Sequence, residues 1–276
     1  MRIAVCFSGM VRTSNYVAPN LLSYFGDLLP SIDFFMHTWD VTQHKQYMPG
    51  AIALLSANYR QCPLESSYPL VSGMANDYKN FKKIKIESFS NLCEIYRYFP
   101  LWYSWAKSVE LKTEYEKEYN FTYDVVLKMR PDVIYPEGNT LQQEIDNFLN
   151  NTELFYVMGA NDKRLDDVYF LSSSANMNIA TNIIHNPIPW KDNEFNIHLL
   201  NNNINYAEVC NSAYAVYREE CVGVSPMDWL GCHVIQSYYH TEKKIFDIYC
   251  TTEPDFLNKF LELYEFLMKK TKNEIN

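Results

Sequence analysis

The sequence predicts an α/β fold in which parallel strands are flanked by helices. Residues 3–7 form a continuous apolar run closed by Ser8-Gly9, which is typical of a strand buried on both faces. From about residue 15 to 29, apolar side chains recur at helical spacing, and residues 32–36 form a second apolar run. Strand, helix and strand at this spacing make a βαβ unit, whose two strands are parallel.

Further elements follow from the pattern of the rest of the chain. Apolar runs predict strands at 82–87, 123–130, 154–158, 168–171 and 214–216. Helical spacing predicts helices at 101–119, after Ser172-Ser173-Ser174, at 194–202 and at 255–270. Proline and glycine punctuate residues 41–80, which favours loops with short helices. We expect Lys112 and Glu116 on the outer face of the 101–119 helix.

Composition excludes several classes of protein. With 276 residues, 47% of them hydrophobic and 16% aromatic, the chain can bury a large core and is not a disordered polypeptide. No linker or internal repeat demands a second domain, so we expect a single domain over 1–276. The net charge of −9 disfavours a nucleic-acid partner, although a few placed cations can still bind a nucleotide phosphate.

The cysteine content and the absence of long apolar runs indicate a compartment. Seven cysteines without a C-x-x-C pair are typical of reduced, buried thiols in an intracellular protein. No run approaches the ~20 apolar residues of a transmembrane span, and the first apolar run is too short for a signal peptide. We therefore expect a soluble cytoplasmic protein, which could work at a membrane surface.

The loop after the first strand is a candidate phosphate-binding site. Gly9 would let a backbone approach a phosphate closely, and Arg12 and Thr13 would supply donors. The alternative is a tight turn with a surface arginine. The loop lacks both the glycine-rich cradle and the lysine of a P-loop.

A second candidate loop, His37 to Asp40, should meet the first one, because the carboxyl ends of parallel strands share a sheet edge. His37 could be a base or a ligand, or a hydrogen-bonded structural residue. Trp39 is more readily explained by packing than by ligand stacking. Thr38 and Asp40 complete this polar group.

The stretch from Tyr123 to Tyr135 carries two cations and a carboxylate at the carboxyl end of a strand. In strand geometry, Lys128 and Arg130 share one face, regular pairing stops at Pro131, and Asp132 follows. This is where open α/β sheets place ligands. The alternative is an edge strand whose lysine and arginine lie in water, with Asp132 in an ordinary turn.

Two further acidic groups are candidates for catalysis. Asp166 and Asp167 cannot both be buried and charged without a cation or several donors, and Asp167 adjoins a predicted strand. Glu194 and His198, four residues apart on a predicted helix, could bind a metal or act as a base. A solvated pair is the simpler interpretation of the second group, since no third ligand is in register.

The order of the motifs resembles a known family. I-A-V-C-F-S-G-x-x-R-T is followed by D-F-F-M-H-T-W-D, Y-S-W-A-K-S-x-E-L, Y-D-V-V-L-K-M-R-P-D-V and D-D-V-Y-F-L-S-S-S-A-N-M. Over roughly two thirds of the chain, this series is similar to small glycosyltransferase-like proteins of bacterial polysaccharide loci and of large viruses and phages. A viral origin would place the protein in the host cytoplasm.

The resemblance implies a GT-A-like (Rossmann-like) fold with a mixed, mostly parallel sheet flanked by helices. It implies a nucleotide-binding half at 1–135, and an acceptor-side half with a C-terminal helix at 136–276. The activity it implies is transfer of a sugar from a nucleotide-sugar donor to a glycan or lipid-linked glycan acceptor. The residues cast in donor binding are Ser8, Gly9, Arg12, Thr13, His37, Thr38, Asp40, Ser104, Lys107, Lys128 and Arg130.

The resemblance also implies a divalent cation, Mn²⁺ or Mg²⁺, on the donor diphosphate. Asp132 stands where the metal-binding acids usually stand, but the chain has one acid there and no Asp-x-Asp pair. Asp132 with water could hold such an ion, or Lys128 and Arg130 could neutralise the diphosphate without one. An inverting reaction needs a base, for which Asp167 is the first candidate and Glu194 the second.

Two other functions fit parts of the pattern. A sulfo- or phosphotransferase would use residues 7–13 as a degenerate phosphate loop, against which the single glycine and missing lysine count. A non-catalytic nucleotide- or glycan-binding domain would use Arg130-Pro131-Asp132 only as a structural turn.

Overall fold

A computed structural model describes residues 1–42, 66–89, 99–135, 138, 140–157, 160–161, 164–165, 168–185, 194–208 and 215–216. The helix predicted at 255–270 lies outside these residues, as do Asp166 and Asp167. Within the described ranges, no helix has the length and apolar character needed to cross a bilayer.

A seven-stranded mixed sheet forms the centre of the protein. Its strands are β1 (Ile3–Ser8), β2 (Ile32–Trp39), β3 (Phe81–Glu87), β4 (Val125–Met129), β6 (Phe155–Val157), β9 (Tyr169–Ser172) and β10 (Tyr206–Glu208). They lie in the order β10-β6-β9-β4-β1-β2-β3. Every neighbouring pair is parallel except the two pairs formed by β9. The predicted mixed, mostly parallel α/β fold is confirmed.

Short strands accompany the main sheet. β5 (Val133–Ile134) pairs antiparallel with β11 (Ala215–Val216), and β7 (Ala160–Asn161) pairs antiparallel with β8 (Arg164–Leu165). The main sheet takes strands from both predicted halves of the chain. The single-domain assignment and its division at residue 135 stay predictions.

Helices cover both faces of the sheet. They are α1 (Ser14–Phe25), α2 (Tyr68–Tyr78), α3 (Phe99–Tyr119), α4 (Leu141–Leu149), α5 (Ser174–Thr181) and α6 (Glu194–Asn201), with 3₁₀ turns at Gly26–Ser31 and Asn182–His185. One buried cluster joins α1, α2 and α4 to the face of Val5 and Leu127. The other joins α3, α5 and α6 to the face of Cys6 and Val126.

Strand β4 lies in the middle of the sheet, between β1 and β9. All five of its residues are buried, including Lys128, so the edge-strand alternative is wrong. Val125, Leu127 and Met129 share one face, whereas Tyr123 packs in the cluster of the opposite face. It departs from the alternation because the strand begins only at Val125.

Strand β2 extends through Trp39, so His37, Thr38 and Trp39 belong to the sheet and do not form the predicted loop. The polar side chains at 37 and 38 do not end the strand because β3 continues to pair beside it. His37 aligns with Lys85, Thr38 with Ile86 and Trp39 with Glu87. As expected, Trp39 is a packing residue: it is buried and lies beside the rings of His37 and Tyr103.

Helix α2 lies in the region 41–80, where loops with short helices were predicted. Helix α4 was not predicted. Helix α4 begins with a capping box in which the Thr140 side chain accepts from the Gln143 amide, and the Gln143 side chain accepts from the Thr140 amide. Leu141, Ile145 and Phe148 form its buried face. The signal was present in the sequence as Thr140, Gln143 and a helical apolar spacing.

The expectation that Lys112 and Glu116 face solvent is wrong. Lys112 is 0% exposed and its Nζ lies 2.8 Å from Glu116 Oε2. Lys112 also donates to Ser174 and, at 2.9 Å, to Asn178 Oδ1, both on α5. Glu116 accepts from Ser174 Oγ at 2.7 Å and from the Tyr123 amide at 2.9 Å. Helix α5 covers this face of α3, which the periodicity of α3 alone cannot reveal.

We predict that Lys112→Met lowers the free energy of unfolding by about 3 kcal/mol, because it leaves the Glu116 carboxylate buried without its cation. The matched control is Lys83→Met, which removes a partly exposed lysine paired with Glu114 and Glu118. That change should cost under about 1 kcal/mol. Urea denaturation of both variants tests the prediction, and equal losses would contradict it.

Candidate functional site

The loop between β1 and α1 turns sharply at the carboxyl edge of the sheet. Gly9 has φ 105° and Arg12 has φ 22°, both in the region that L side chains rarely adopt. A Cβ placed on Gly9 would meet no atom of the described residues within 4 Å, apart from those of its two chain neighbours. The space beside this α-carbon is therefore open, as the approach of a phosphate requires.

Ser104 on α3 fastens this turn to the neighbouring strand. Its Oγ accepts a hydrogen bond from the Gly9 amide at 2.7 Å and donates to the His37 carbonyl oxygen at 2.9 Å. Ser104 Oγ also lies 3.0 Å from His37 Nδ1. One buried hydroxyl thus ties the ends of β1 and β2 to α3.

The other ring nitrogen of His37 faces an ionised group. Its Nε2 lies 3.3 Å from Glu87 Oε2. Burial lowers the pKa of His37 to about 4, more than the Glu87 carboxylate raises it. Partial burial raises the pKa of Glu87, but hydrogen bonds from Lys85 and Tyr103 outweigh it and hold that pKa at about 2. At neutral pH the pair is a neutral imidazole beside a carboxylate.

Arg12, Arg130 and Asp132 form the second group at this edge. Arg130 binds the carboxylate through two bonds, Nε to Oδ1 at 2.9 Å and Nη2 to Oδ2 at 2.8 Å. Arg12 Nη1 donates to Oδ2 at 3.1 Å from a position 120 residues away in the chain. Asp132 is fully buried, whereas the arginine side chains are 14% and 15% exposed. The triad thus joins Arg12, in the loop after β1, to Arg130 and Asp132, which follow the paired strand β4.

Buried hydroxyls line the ends of β1 and β2. Ser8 Oγ and Thr38 Oγ1 are fully buried and have no hydrogen-bond partner in the described ranges. Thr13, which precedes α1, is also buried. Buried polar atoms are normally paired, so Ser8 and Thr38 are available to water or a ligand.

The other predicted donor-binding residues have local partners. Lys128 points to the α3 face of the sheet, with its Nζ 5.1 Å from the centre of the Phe170 ring. Asp40 accepts from Ser88 Oγ at 2.6 Å and from the Phe89 amide at 2.9 Å, and these bonds lower its pKa. Lys107 pairs with Glu110 at 2.5 Å. Their roles in donor binding stay predictions.

The two candidate bases are not placed beside this edge by the described residues. Asp167 lies outside them, and for Glu194 the structure gives only the position at the start of α6. His198 does not form the solvated pair expected with Glu194. It is buried, with Nε2 3.1 Å from the Ile179 carbonyl oxygen, because α6 packs against the end of α5.

Sequence reasoning missed Glu87 and Tyr103 as members of the site. Tyr103 donates to Glu87 Oε2 at 2.9 Å, and both contact the His37 ring. The signal for Glu87 was its place at the end of the K-K-I-K-I-E strand. In the parallel pairing of that strand with β2, Glu87 aligns with Trp39. Predicting this pairing would have placed Glu87 near the site.

Comparisons with known proteins do not identify a family, since no family model and no curated protein matches the chain. Solved structures with a related shape include a cytidylyltransferase from Leptospira borgpetersenii (12% identity, TM-score 0.38, 79% of this chain and 80% of that one). A nucleoside-diphosphate-sugar pyrophosphorylase from Vibrio cholerae has 12% identity and TM-score 0.41, covering 78% of this chain and 94% of that one.

A third structure, named as a nucleotide-diphospho-sugar transferase from Desulfovibrio desulfuricans, has 11% identity and TM-score 0.38, covering 96% of this chain and 98% of that one. Each of these three proteins is named for nucleotide or nucleotide-sugar chemistry. At such identities and scores the likeness assigns no activity to this chain, so the function is argued from its own residues.

We predict that His37 makes the stability of the protein fall in mild acid. Its pKa is about 4 when folded and about 6.5 when unfolded, so below pH 6.5 the unfolded chain binds a proton that the folded protein does not. Stability present above pH 6.5 is lost as the pH falls towards 4, with about 2 kcal/mol lost by pH 5. In His37→Gln this loss should be absent. Urea denaturation at pH 7, 6 and 5 measures the free energy of unfolding of both proteins. An equal fall with pH in the wild type and in His37→Gln would contradict this role of His37.

Proposed function

We propose that this protein is a glycosyltransferase of GT-A-like fold that uses a nucleotide-sugar donor. The acceptor would be a glycan or a lipid-linked glycan. The observation that carries the proposal is the convergence of Arg12 and Arg130 on Asp132 beside the open Gly9 turn, at the carboxyl edge of the sheet. Open α/β sheets bind their ligands at this edge.

The chemistry of the edge fits a diphosphate. Guanidinium groups present N–H donors in a planar fork that matches phosphate oxygens, and charge-assisted hydrogen bonds are stronger than neutral ones. Gly9 allows the backbone to approach an oxygen closely, while the hydroxyls of Ser8 and Thr38 are available to polar groups of the nucleotide. The motif order that resembles glycosyltransferases supports a sugar on the diphosphate.

The reaction would break the bond between the anomeric carbon and the diphosphate oxygen, and form a bond from that carbon to an acceptor hydroxyl oxygen. The nucleoside diphosphate leaves with the electron pair, and Arg12 and Arg130 stabilise the negative charge that develops on it. In an inverting reaction, Asp167 or Glu194 takes the acceptor proton. A retaining reaction needs no separate base in that role.

The first test is a thermal-shift screen against UDP-, GDP-, dTDP- and CMP-sugars, with and without Mn²⁺. A donor at about 100 times its dissociation constant should add about 2.7 kcal/mol of stability, or roughly 5 to 10 °C in Tm. Adenosine 3′-phosphate 5′-phosphosulfate and ATP, tested beside the sugars, represent a sulfo- or phosphotransferase. The proposal would be overturned if only one of these two compounds raised the Tm, or if none of the tested nucleotides raised it.

The second test concerns the base. If the reaction inverts, Asp167→Asn or Glu194→Gln should lower kcat about 100-fold or more while nucleotide affinity is unchanged, because only proton transfer is lost. Release of nucleoside diphosphate in the presence of an acceptor measures kcat, and NMR of the product gives the stereochemistry. An inverted product with full activity in both variants would remove both residues from the mechanism.

A further inference from the structure

We propose that the donor diphosphate is bound by Arg12 and Arg130 without a divalent cation, and that Asp132 positions these arginines. This inference rests on the proposed function. It assigns Asp132 a role other than the metal ligand that the resemblance implies.

Both oxygens of Asp132 are already engaged. Oδ1 accepts from Arg130 Nε at 2.9 Å, and Oδ2 accepts from Arg130 Nη2 at 2.8 Å and from Arg12 Nη1 at 3.1 Å. A metal ion bound to Oδ2 at the usual distance of about 2.1 Å would lie within about 5 Å of both guanidinium nitrogens. Each arginine would repel the ion, and the repulsion is only partly screened because Asp132 is 0% exposed.

The neighbouring groups do not form a ligand set for a hard cation. Such ions prefer several oxygen ligands, with carboxylates as the main protein contribution. Among the described residues, no three His, Cys, Asp or Glu side chains come close enough together to hold an ion. Glu87, which lies beside His37, is bound by Lys85 and Tyr103. Within the part of the chain that the structure describes, the side chains that bind Asp132 are arginines, which are not ligands for Mn²⁺ or Mg²⁺.

The charge of the triad favours an anion directly. Among the described residues, this triad contains two guanidinium groups and one carboxylate. The carboxylate also fixes the orientation of both side chains, one of which comes from the β1–α1 loop and the other from the end of β4. Arginines held in this way lose less side-chain entropy when a phosphate binds, which is the advantage of a preorganised site.

The decisive experiment measures nucleotide binding by calorimetry in EDTA and in 5-fold excess Mn²⁺ over the nucleotide. UDP, GDP, dTDP and CMP are the probes. We expect at least one to bind with dissociation constants that differ by less than about threefold between the two buffers. Binding that requires Mn²⁺ would overturn this inference and leave the proposed function standing. The absence of binding in both buffers would overturn the two together.

Variants of the triad separate positioning from metal binding. Arg12→Gln and Arg130→Gln should each raise the dissociation constant about 10- to 100-fold in EDTA. Arg2→Gln is the matched control, because Arg2 precedes the opposite end of β1 and lies over the Phe121 ring. Its nucleotide affinity should equal that of the wild type. Equal affinity in the Arg12 and Arg130 variants would overturn the inference.

Asp132→Asn keeps the shape of the side chain and one acceptor oxygen. If Asp132 positions the arginines, Asp132→Asn should weaken nucleotide binding by the same factor in EDTA and in Mn²⁺. If Asp132 binds a metal, the substitution should weaken nucleotide binding only in Mn²⁺. Circular dichroism of the variant confirms that it is folded, and an effect confined to Mn²⁺, or no effect in either buffer, would overturn the assignment.

Discussion

The arrangement of the candidate site depends on the compensation of one buried charge. A carboxylate without water is stable as an anion only when cations or several donors surround it. Asp132 meets this requirement with Arg130, which is two residues away, and with Arg12, which is 120 residues away. The same contacts therefore stabilise the turn after β4, hold the β1–α1 loop against it and direct two guanidinium groups to the sheet edge.

A neutral contact completes what the charged triad begins. Ser104 brings a helix on one face of the sheet into contact with the ends of two strands, through the Gly9 amide and the His37 carbonyl. Because α3 is itself fixed by the buried pair of Lys112 and Glu116 against α5, the site is supported by rigid elements and not by its loops alone. Sites built on helices and strands hold their geometry better than sites built on loops.

Local sequence patterns predicted those strands and helices whose burial follows from their own apolar residues. The apolar run of β1 predicts a strand buried on both faces, and β1 lies inside the sheet. The pattern of β4 left an edge strand as an alternative, which is excluded only by the neighbours β1 and β9. The direction of β9 could not be predicted, because an apolar run does not record whether its neighbours are parallel or antiparallel. Lys112 has the spacing of a surface residue on α3, and only the later α5 makes it a core residue.

The site was predictable to the same degree. Arg130 and Asp132 are close in sequence and at a strand end, so their pairing follows from the chain itself. The contribution of Arg12 to the same carboxylate is a long-range side-chain contact that no local pattern contains. The extension of β2 through Trp39 depends on β3, so His37 became a buried strand residue in contact with Ser104 and Glu87.

Gly9 shows how a position can be constrained without being crowded. Apart from its two chain neighbours, no described residue has an atom within 4 Å of a Cβ placed there, yet its φ of 105° strains any L side chain. The constraint is therefore one of handedness and not of volume. A D-amino acid adopts a positive φ without the strain that an L residue meets, so a semisynthetic protein with a D residue at this position could keep the turn while leaving open the space that an L side chain would enter.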